Sequence, residues 1–149
     1  MFRSGIISAF MVVLSAGCAH PRSEENTSRA NETSFAQTQK SEHIKFVATL
    51  RPLAEPVAIN QIHSWRIQLS AASGAPVSGA VIHLGGGMPD HGHGFPTRPR
   101  VREIGGGEYL LEGMKFNMQG RWEIKLGVQA GDEFDVLTFN TMVALAADK

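Results

Sequence analysis

Several short segments of the chain alternate between apolar and polar residues. The clearest is segment 121–128 (RWEIKLGV), and segment 64–70 (SWRIQLS) repeats its pattern. Alternation over four to eight residues is typical of a strand with one buried and one solvated face. We therefore predict that the apolar positions of four strands form the core: Phe46, Ala48 and Leu50; Trp65, Ile67 and Leu69; Trp122, Ile124, Leu126 and Val128; and Leu137, Phe139 and Val143, with Thr141 on the same face.

Glycine and proline separate the predicted strands. Turn signals stand at Ser73-Gly74, at glycines 105 to 107 and at Gly131-Asp132, because these residues favour the backbone angles that turns need. No segment shows a helical period of convincing length, and strands do not alternate with helices. The pattern predicts an all-β fold, an antiparallel two-sheet β-sandwich of about seven strands.

The amino-terminal segment has the features of a secretory signal. Arg3 precedes a short apolar run, residues 5–16 (GIISAFMVVLSA), that ends in small residues; this order is typical of a signal peptide. The run is shorter than the roughly 20 apolar residues that a permanent membrane-spanning helix needs. We predict export from the cytoplasm, with a signal peptide over residues 1–17.

Cys18 is the single cysteine of the chain, and residues 14–18 (LSAGC) resemble a bacterial lipobox. The match has one departure, since Ser15 stands where a large aliphatic residue is usual. A lone thiol in an exported protein cannot form an internal disulfide. We predict that Cys18 carries a lipid that holds the protein on the periplasmic side of a membrane; ordinary signal cleavage nearby is the alternative.

The residues after Cys18 are polar, and Phe35 is the single large apolar residue between positions 19 and 42. Such a segment buries too little apolar surface to offset the entropy of ordering it. We predict a flexible tether over residues 18–43 and one folded domain over residues 44–149, a size that suits a single core.

Charge and motif content exclude several classes of function. The formal net charge is zero and no basic stripe is present, which disfavours nucleic acid as a partner. The nucleophile-elbow motif of hydrolases is absent, and the one thiol is assigned to the anchor. We predict that the protein is not an enzyme.

Candidate chemistry is concentrated in segment 85–96 (GGGMPDHGHGFP), whose glycines and prolines predict a loop. Met88, His91 and His93 lie within six residues, and Gly92 lets the chain turn both imidazoles toward a common point. Thioether and imidazole together favour copper, Cu(I) above all, over the oxygen-seeking Mg²⁺ and Ca²⁺. Zinc would accept the histidines, but methionine adds nothing to a zinc site.

Other residues could complete or replace this ligand set. Met114 and Met118 share a parity with Phe116 in a strand predicted over Glu112 to Asn117, which would place both thioethers on one face. His63 shares the inward parity of Trp65 and is either a further ligand or a structural histidine. The alternative for the whole set stays open: imidazoles bonded to loop carbonyls and methionines that fill gaps in the core.

The motifs MPDHGHGFPTRPRV, GEYLLEGMKFNMQGRWEIKL and DVLTF, preceded by HSWRIQL and SGAPVSGAVI, resemble the YtkA-like family of exported bacterial β-sandwich domains. The resemblance covers most of residues 60 to 144 and implies an immunoglobulin-like sandwich, similar in architecture to the CopC-like copper carriers. It marks Met88, His91, His93 and Met118 as metal ligands, with His63 as a lesser candidate. CopC-like carriers also bind Cu(II) through an amino-terminal histidine, and His20 would take that place if signal cleavage followed Ala19.

The resulting expectation is a lipid-anchored, copper-binding protein of the cell envelope. It would carry or buffer copper for an envelope oxidase or a resistance system, with the membrane as one partner and an envelope protein as the recipient of the metal. A metal-free structural or protein-interaction module is the alternative.

Overall fold

The computed structural model describes residues 37–144, which form nine strands in two antiparallel sheets. The predicted signal peptide, Cys18, His20 and the predicted tether up to residue 36 lie outside the described residues. Within residues 37–144 no helix is long and apolar enough to cross a bilayer. The strands are β1 (Gln37–Lys40), β2 (Phe46–Pro52), β3 (Ile62–Ala71), β4 (Val81–Met88), β5 (His93–Gly94), β6 (Arg100–Gly105), β7 (Glu108–Lys115), β8 (Gly120–Ala130) and β9 (Glu133–Val143).

The strand order confirms the immunoglobulin-like sandwich. One sheet has the order β1-β2-β3-β7-β6 and the other the order β5-β4-β8-β9. Without β1 and β5, the two sheets have the four-plus-three arrangement of a constant-type immunoglobulin domain. The predicted count of about seven therefore matches the framework, and the two short strands are additions to it.

The core lies between the sheets and includes all the residues that the alternation selected. The predicted inward positions of β2, β3, β8 and β9 are all buried. Turns also fall where glycine predicted them: Gly106-Gly107 joins β6 to β7, and Gly131-Asp132 joins β8 to β9. Local patterning sufficed here because each of these strands has a single buried face.

The sandwich begins earlier in the chain than predicted. Strand β1 pairs with β2 from Gln37↔Leu50 to Lys40↔Val47, so the last seven residues of the predicted tether, 37–43, belong to the folded domain. Its sequence, QTQK, has no apolar residue, and the strand is held by backbone pairing and by a 2.7 Å hydroxyl contact between Thr38 and Thr49. A polar edge strand gives no hydrophobic period to detect.

Segment 85–96 was predicted to be a loop, and half of that prediction is wrong. Residues 85–88 continue strand β4 along β8, from Gly85↔Lys125 to Gly87↔Glu123. A short 3-10 turn, Pro89–His91, then reverses the chain into β5. Glycine weakens an isolated strand, but it is tolerated where another backbone approaches closely, as β5 and β8 do here.

Candidate functional site

The candidate site lies where β4 ends, at one end of the four-stranded sheet. Strand β5 folds back onto β4 so that Met88 stands directly opposite His93 and Gly87 opposite Gly94. Opposed residues of an antiparallel pair project from the same face, with Cβ atoms about 5 Å apart. The hairpin therefore places the Met88 thioether and the His93 imidazole side by side.

The glycines of this hairpin are required by its tightness. Gly87 has φ of 153°, and a Cβ there would overlap the carbonyl oxygen of His93. Gly92 follows the 3-10 turn with φ of 68°, the left-handed conformation that glycine adopts at low cost. The spacing Met-x-x-His-Gly-His thus encodes a hairpin that returns its second histidine to its methionine.

Met88 and His93 face the aromatic core of the sandwich. The Met88 side chain is only 1% exposed, and the His93 ring stands edge-on to the Trp122 indole, with centroids 5.7 Å apart. Phe95 stacks on the same indole at 5.5 Å. This packing fixes the orientation of the His93 ring without using its nitrogen atoms.

Hydrogen bonding at His93 leaves one ring nitrogen free for another partner. Its Nδ1 lies 3.0 Å from the Gly94 carbonyl oxygen; because a carbonyl only accepts, Nδ1 carries the proton and donates it. In the neutral ring the Nε2 atom then keeps its lone pair. This Nε2 is buried and has no hydrogen-bond partner among residues 37–144, the arrangement expected of a metal ligand whose tautomer is set by its other nitrogen.

His91 lies beside His93 on the solvent side. The two ring centroids are 6.0 Å apart, and His91 is exposed. The turn that carries it is tied to β8 by an ion pair, with Arg121 Nη2 donating to Asp90 Oδ1 at 2.8 Å. The hydrogen bond and the charge of Arg121 lower the pKa of Asp90. Asp90 therefore stays ionised, and the ion pair stays formed, in mildly acidic solution.

An open cavity of about 220 Å³ adjoins the hairpin. Its lining comes from β4, β5, the turn between them and the facing strand β8: Gly86, Gly87, Met88, Pro89, Gly92, His93, Gly94 and Glu123. A single ion with part of its hydration shell would fit this space, and so would a side chain of a partner protein.

Met118 is joined to the site through its backbone. The prediction that Met114 and Met118 share one strand face is wrong, because β7 ends at Lys115. Met114 is fully buried in the core, whereas Met118 is 38% exposed and lies beyond the strand. The Met118 carbonyl accepts a 3.0 Å hydrogen bond from the Trp122 indole, which places the residue next to the ring that supports His93.

His63 lies away from the other candidates, in the five-stranded sheet. Its Nε2 lies 2.7 Å from the carbonyl oxygen of Ala58 and therefore donates to it. Its ring packs near Phe116, at 6.3 Å, and Phe116 in turn contacts Trp122 at 5.1 Å. Two aromatic rings thus separate His63 from His93, and the structural reading of this histidine fits its surroundings.

The sequence pattern placed Trp122 in the core and gave Asp90 no role. Both bear on the site: Trp122 supports the His93 ring and Asp90 anchors the turn that carries His91. The sequence signal for Asp90 is weak, because its partner Arg121 is 31 residues away. Only the pairing of β4 with β8 brings the two charges together.

A second polar cluster, formed by Glu42, His43 and Asp135, serves the fold. The buried Asp135 carboxylate accepts hydrogen bonds from the backbone N–H groups of His43 and Val136, at 3.0 and 2.9 Å, and lies 3.0 Å from His43 Nδ1. Burial raises the pKa of Asp135, but hydrogen bonds from Ser41, His43 and Val136 outweigh it and hold the pKa well below its usual range. The carboxylate thereby clamps the turn after β1 onto β9.

Comparison with known proteins agrees with this fold. A family model described as YtkA-like matches residues 38–127, more than half of the chain. The crystal structure of a DUF4426 family protein from Pseudomonas aeruginosa is similar, with a TM-score of 0.54 and 16% sequence identity over 74% of this chain and 96% of that one. No match was found among curated proteins. At this identity, the structural likeness concerns the fold alone.

Proposed function

Because the chain belongs to the YtkA-like family and folds as a β-sandwich, we propose that it binds Cu(I) as cargo through Met88 and His93, with His91 as a third ligand. The single observation that carries the proposal is the buried Nε2 of His93, which has no hydrogen-bond partner in the described part of the chain. A buried polar atom without a partner is costly. A metal ion bound at Nε2 would satisfy it.

The neighbouring donor decides which metal suits the site. Met88 stands opposite His93 and offers a thioether, a soft ligand that favours Cu(I) and adds nothing for zinc. A purely structural methionine needs no histidine on its flank, and a purely structural histidine would pair any ring nitrogen that is buried. The two residues side by side support a soft-metal site better than either does alone.

The arrangement also suits a carrier. Met88 is buried and His91 is exposed, so the donor set spans the boundary between core and solvent. Thioether and imidazole ligands release copper more readily than thiolates would. A recipient could approach from the His91 side and replace the exposed ligand first.

Met118 and His63 enter the proposal differently. Met118 is exposed beside Trp122, and we assign it as an auxiliary thioether that could engage the metal during transfer. His63 bonds to Ala58 in the other sheet, and we leave it out of the ligand set.

The proposal includes export and lipid attachment at Cys18. Its support is the signal-like segment and the LSAGC motif. The mass of the mature amino terminus tests it: a diacylglyceryl group on Cys18 agrees with the proposal, whereas a mature chain that begins at another residue without lipid contradicts it.

Copper binding is tested with the full chain purified in an uncharged detergent. Cu(I) affinity is measured under anaerobic conditions by competition with a chromophoric chelator, for the wild type and for His93→Asn and His83→Asn. His83 lies on β4, is exposed and is five residues from Met88, about 16 Å along an extended strand, so it is a matched control. We expect only His93→Asn to weaken binding. Equal affinity in all three proteins would contradict a site at His93, and no measurable Cu(I) binding by the wild type would support the metal-free interaction module instead.

A further inference from the structure

A second candidate site lies on the outer face of the five-stranded sheet, away from the metal-site hairpin. A cleft of about 340 Å³ there is lined by Thr49, Arg51, Pro52, Leu53, Arg66, Gln68 and Glu108. It is formed mainly by the exposed faces of β2 and β3, where polar side chains stand in rows across the sheet. Nothing in the proposed copper chemistry uses these residues.

Two arginines face each other in this cleft. Arg51 of β2 is paired directly with Arg66 of β3 in the antiparallel register, so both guanidinium groups project from the same face. Like charges directly opposite each other destabilise a sheet. An anion held between them would turn this repulsion into attraction.

A single carboxylate, that of Glu108, cannot neutralise both the Arg51 and the Arg66 guanidinium groups. Arg66 lies 3.8 Å from the Glu108 carboxylate, longer than the 2.7–2.9 Å that is typical of a charge-assisted hydrogen bond. The Arg51 guanidinium has no hydrogen bond or ion pair with any described residue. Two guanidinium groups and one carboxylate leave the lining with one net positive charge.

The shape and charge of the cleft select a class of ligand. Two planar guanidinium groups, with the Gln68 amide beside them, offer more donors than the two oxygens of a carboxylate can accept. A phosphodiester has four oxygens and one negative charge, which balances the single net positive charge of the lining. Pro52 and the half-exposed Leu53 add an apolar wall that carbon groups esterified to the phosphate would contact.

We propose that the cleft between Arg51 and Arg66 binds a phosphodiester group. Two sources carry this chemistry, a lipid headgroup and a free small phosphodiester. The proposal is independent of copper, since the two sites lie on different sheets, and a failure of either leaves the other untouched.

The test uses the full chain in an uncharged detergent at low ionic strength. Binding of diethyl phosphate and of dihexanoyl phosphatidylglycerol is measured by titration calorimetry. We expect Arg51→Gln and Arg66→Gln each to weaken binding by about tenfold or more, as the loss of a charge-assisted contact predicts. Similar affinities for both probes would indicate recognition of the phosphate group, and tighter binding of the lipid would indicate a headgroup site.

Arg102→Gln is the matched control. Arg102 belongs to the same row of the sheet, since it pairs with Leu110, which pairs in turn with Arg66. Its guanidinium forms an ion pair with the Glu112 carboxylate at 3.2 Å. Arg102→Gln should therefore alter the affinity for either probe by less than about threefold. The proposal is overturned if Arg102→Gln weakens binding as much as Arg51→Gln, or if the wild type binds neither probe at millimolar concentration.

Folding of the variants is checked by thermal unfolding. Arg51 is exposed and has no ion pair within residues 37–144, so Arg51→Gln should unfold at or above the wild-type temperature because a repulsion is removed. An independent readout needs no variant: in the wild type, diethyl phosphate should shift the amide NMR signals of Arg51 and Arg66 more than that of Arg102. Equal shifts at all three positions would contradict a specific site.

Discussion

The substitution Met88→Leu separates the two roles that a buried methionine can have. If Met88 only fills the core, leucine should replace it with little consequence beyond packing. If its sulfur binds copper, leucine should fold and yet bind copper poorly. The variant therefore tests the donor atom itself while it keeps the residue apolar and of similar volume.

The expected cost in stability follows from the burial of Met88. The side chain is 1% exposed, and its methyl group lies so near Gly120 that a Cβ added there would be 2.9 Å from it. A volume-conserving apolar swap in a core costs less than about 1.5 kcal/mol, whereas truncation to alanine costs about 2–5 kcal/mol. We expect Met88→Leu toward the upper part of the first range, because the branched end of leucine has little room beside Gly120.

The expected cost in copper affinity is measured on a different equilibrium from the packing cost, so the two can be separated. Loss of one of three ligands should raise the dissociation constant for Cu(I) by tenfold or more, which is about 1.4 kcal/mol of binding free energy. The assay is anaerobic competition with a chromophoric chelator, alongside urea unfolding of the metal-free protein. Met114→Leu is the control, because Met114 is equally buried but lies on the other sheet.

Two results would refute this reasoning. Unchanged Cu(I) affinity in Met88→Leu would show that the thioether is a core group only. A loss of affinity in Met114→Leu equal to that in Met88→Leu would show that copper binding responds to core packing in general and not to the sulfur at position 88.

Three further predictions concern the hairpin, its aromatic support and the carboxylate clamp. Gly87→Ala should cost about 1–3 kcal/mol of stability and abolish Cu(I) binding, because a Cβ there displaces the His93 strand; urea unfolding and chelator competition measure both, and unchanged copper affinity would contradict it. Silver(I), a stable substitute for Cu(I), should change the emission of Trp122 in a Trp65→Phe background, since the His93 ring contacts that indole; an emission unchanged at saturating silver would argue against binding at this ring. Asp135→Ala should lower the free energy of unfolding by about 1–3 kcal/mol or more, because it leaves buried backbone N–H donors without an acceptor. The folded-state pKa of Asp135 is depressed, so its contribution is present above the ordinary value of about 3.9 and is lost as pH falls further. Urea unfolding between pH 7 and 2 should show a larger drop in stability for the wild type than for Asp135→Ala, and parallel curves for the two proteins would contradict it.

The sequence by itself determined the fold class and the composition of the candidate site. Alternation in β3 and β8 assigned their buried faces, because a strand's period of two is a local property that needs no knowledge of its partners. The unusual density of thioether and imidazole at Met88, His91 and His93 was equally local. Export and the role of Cys18 also rest on sequence alone, and they remain proposals.

The tertiary structure decided which donors meet. A period of two cannot tell where a strand ends, and β7 ends before Met118, which removes that sulfur from the face of Met114. Inward parity also does not tell to which of the two sheets a buried residue belongs. His63 belongs to the five-stranded sheet, and the rings of Phe116 and Trp122 lie between it and His93. The pairing of β4 with β5 set the opposition of Met88 and His93. The β4–β5 hairpin itself follows from a local spacing, but its place beside Trp122 depends on the pairing of β4 with β8, a contact between distant parts of the chain that a local pattern does not encode.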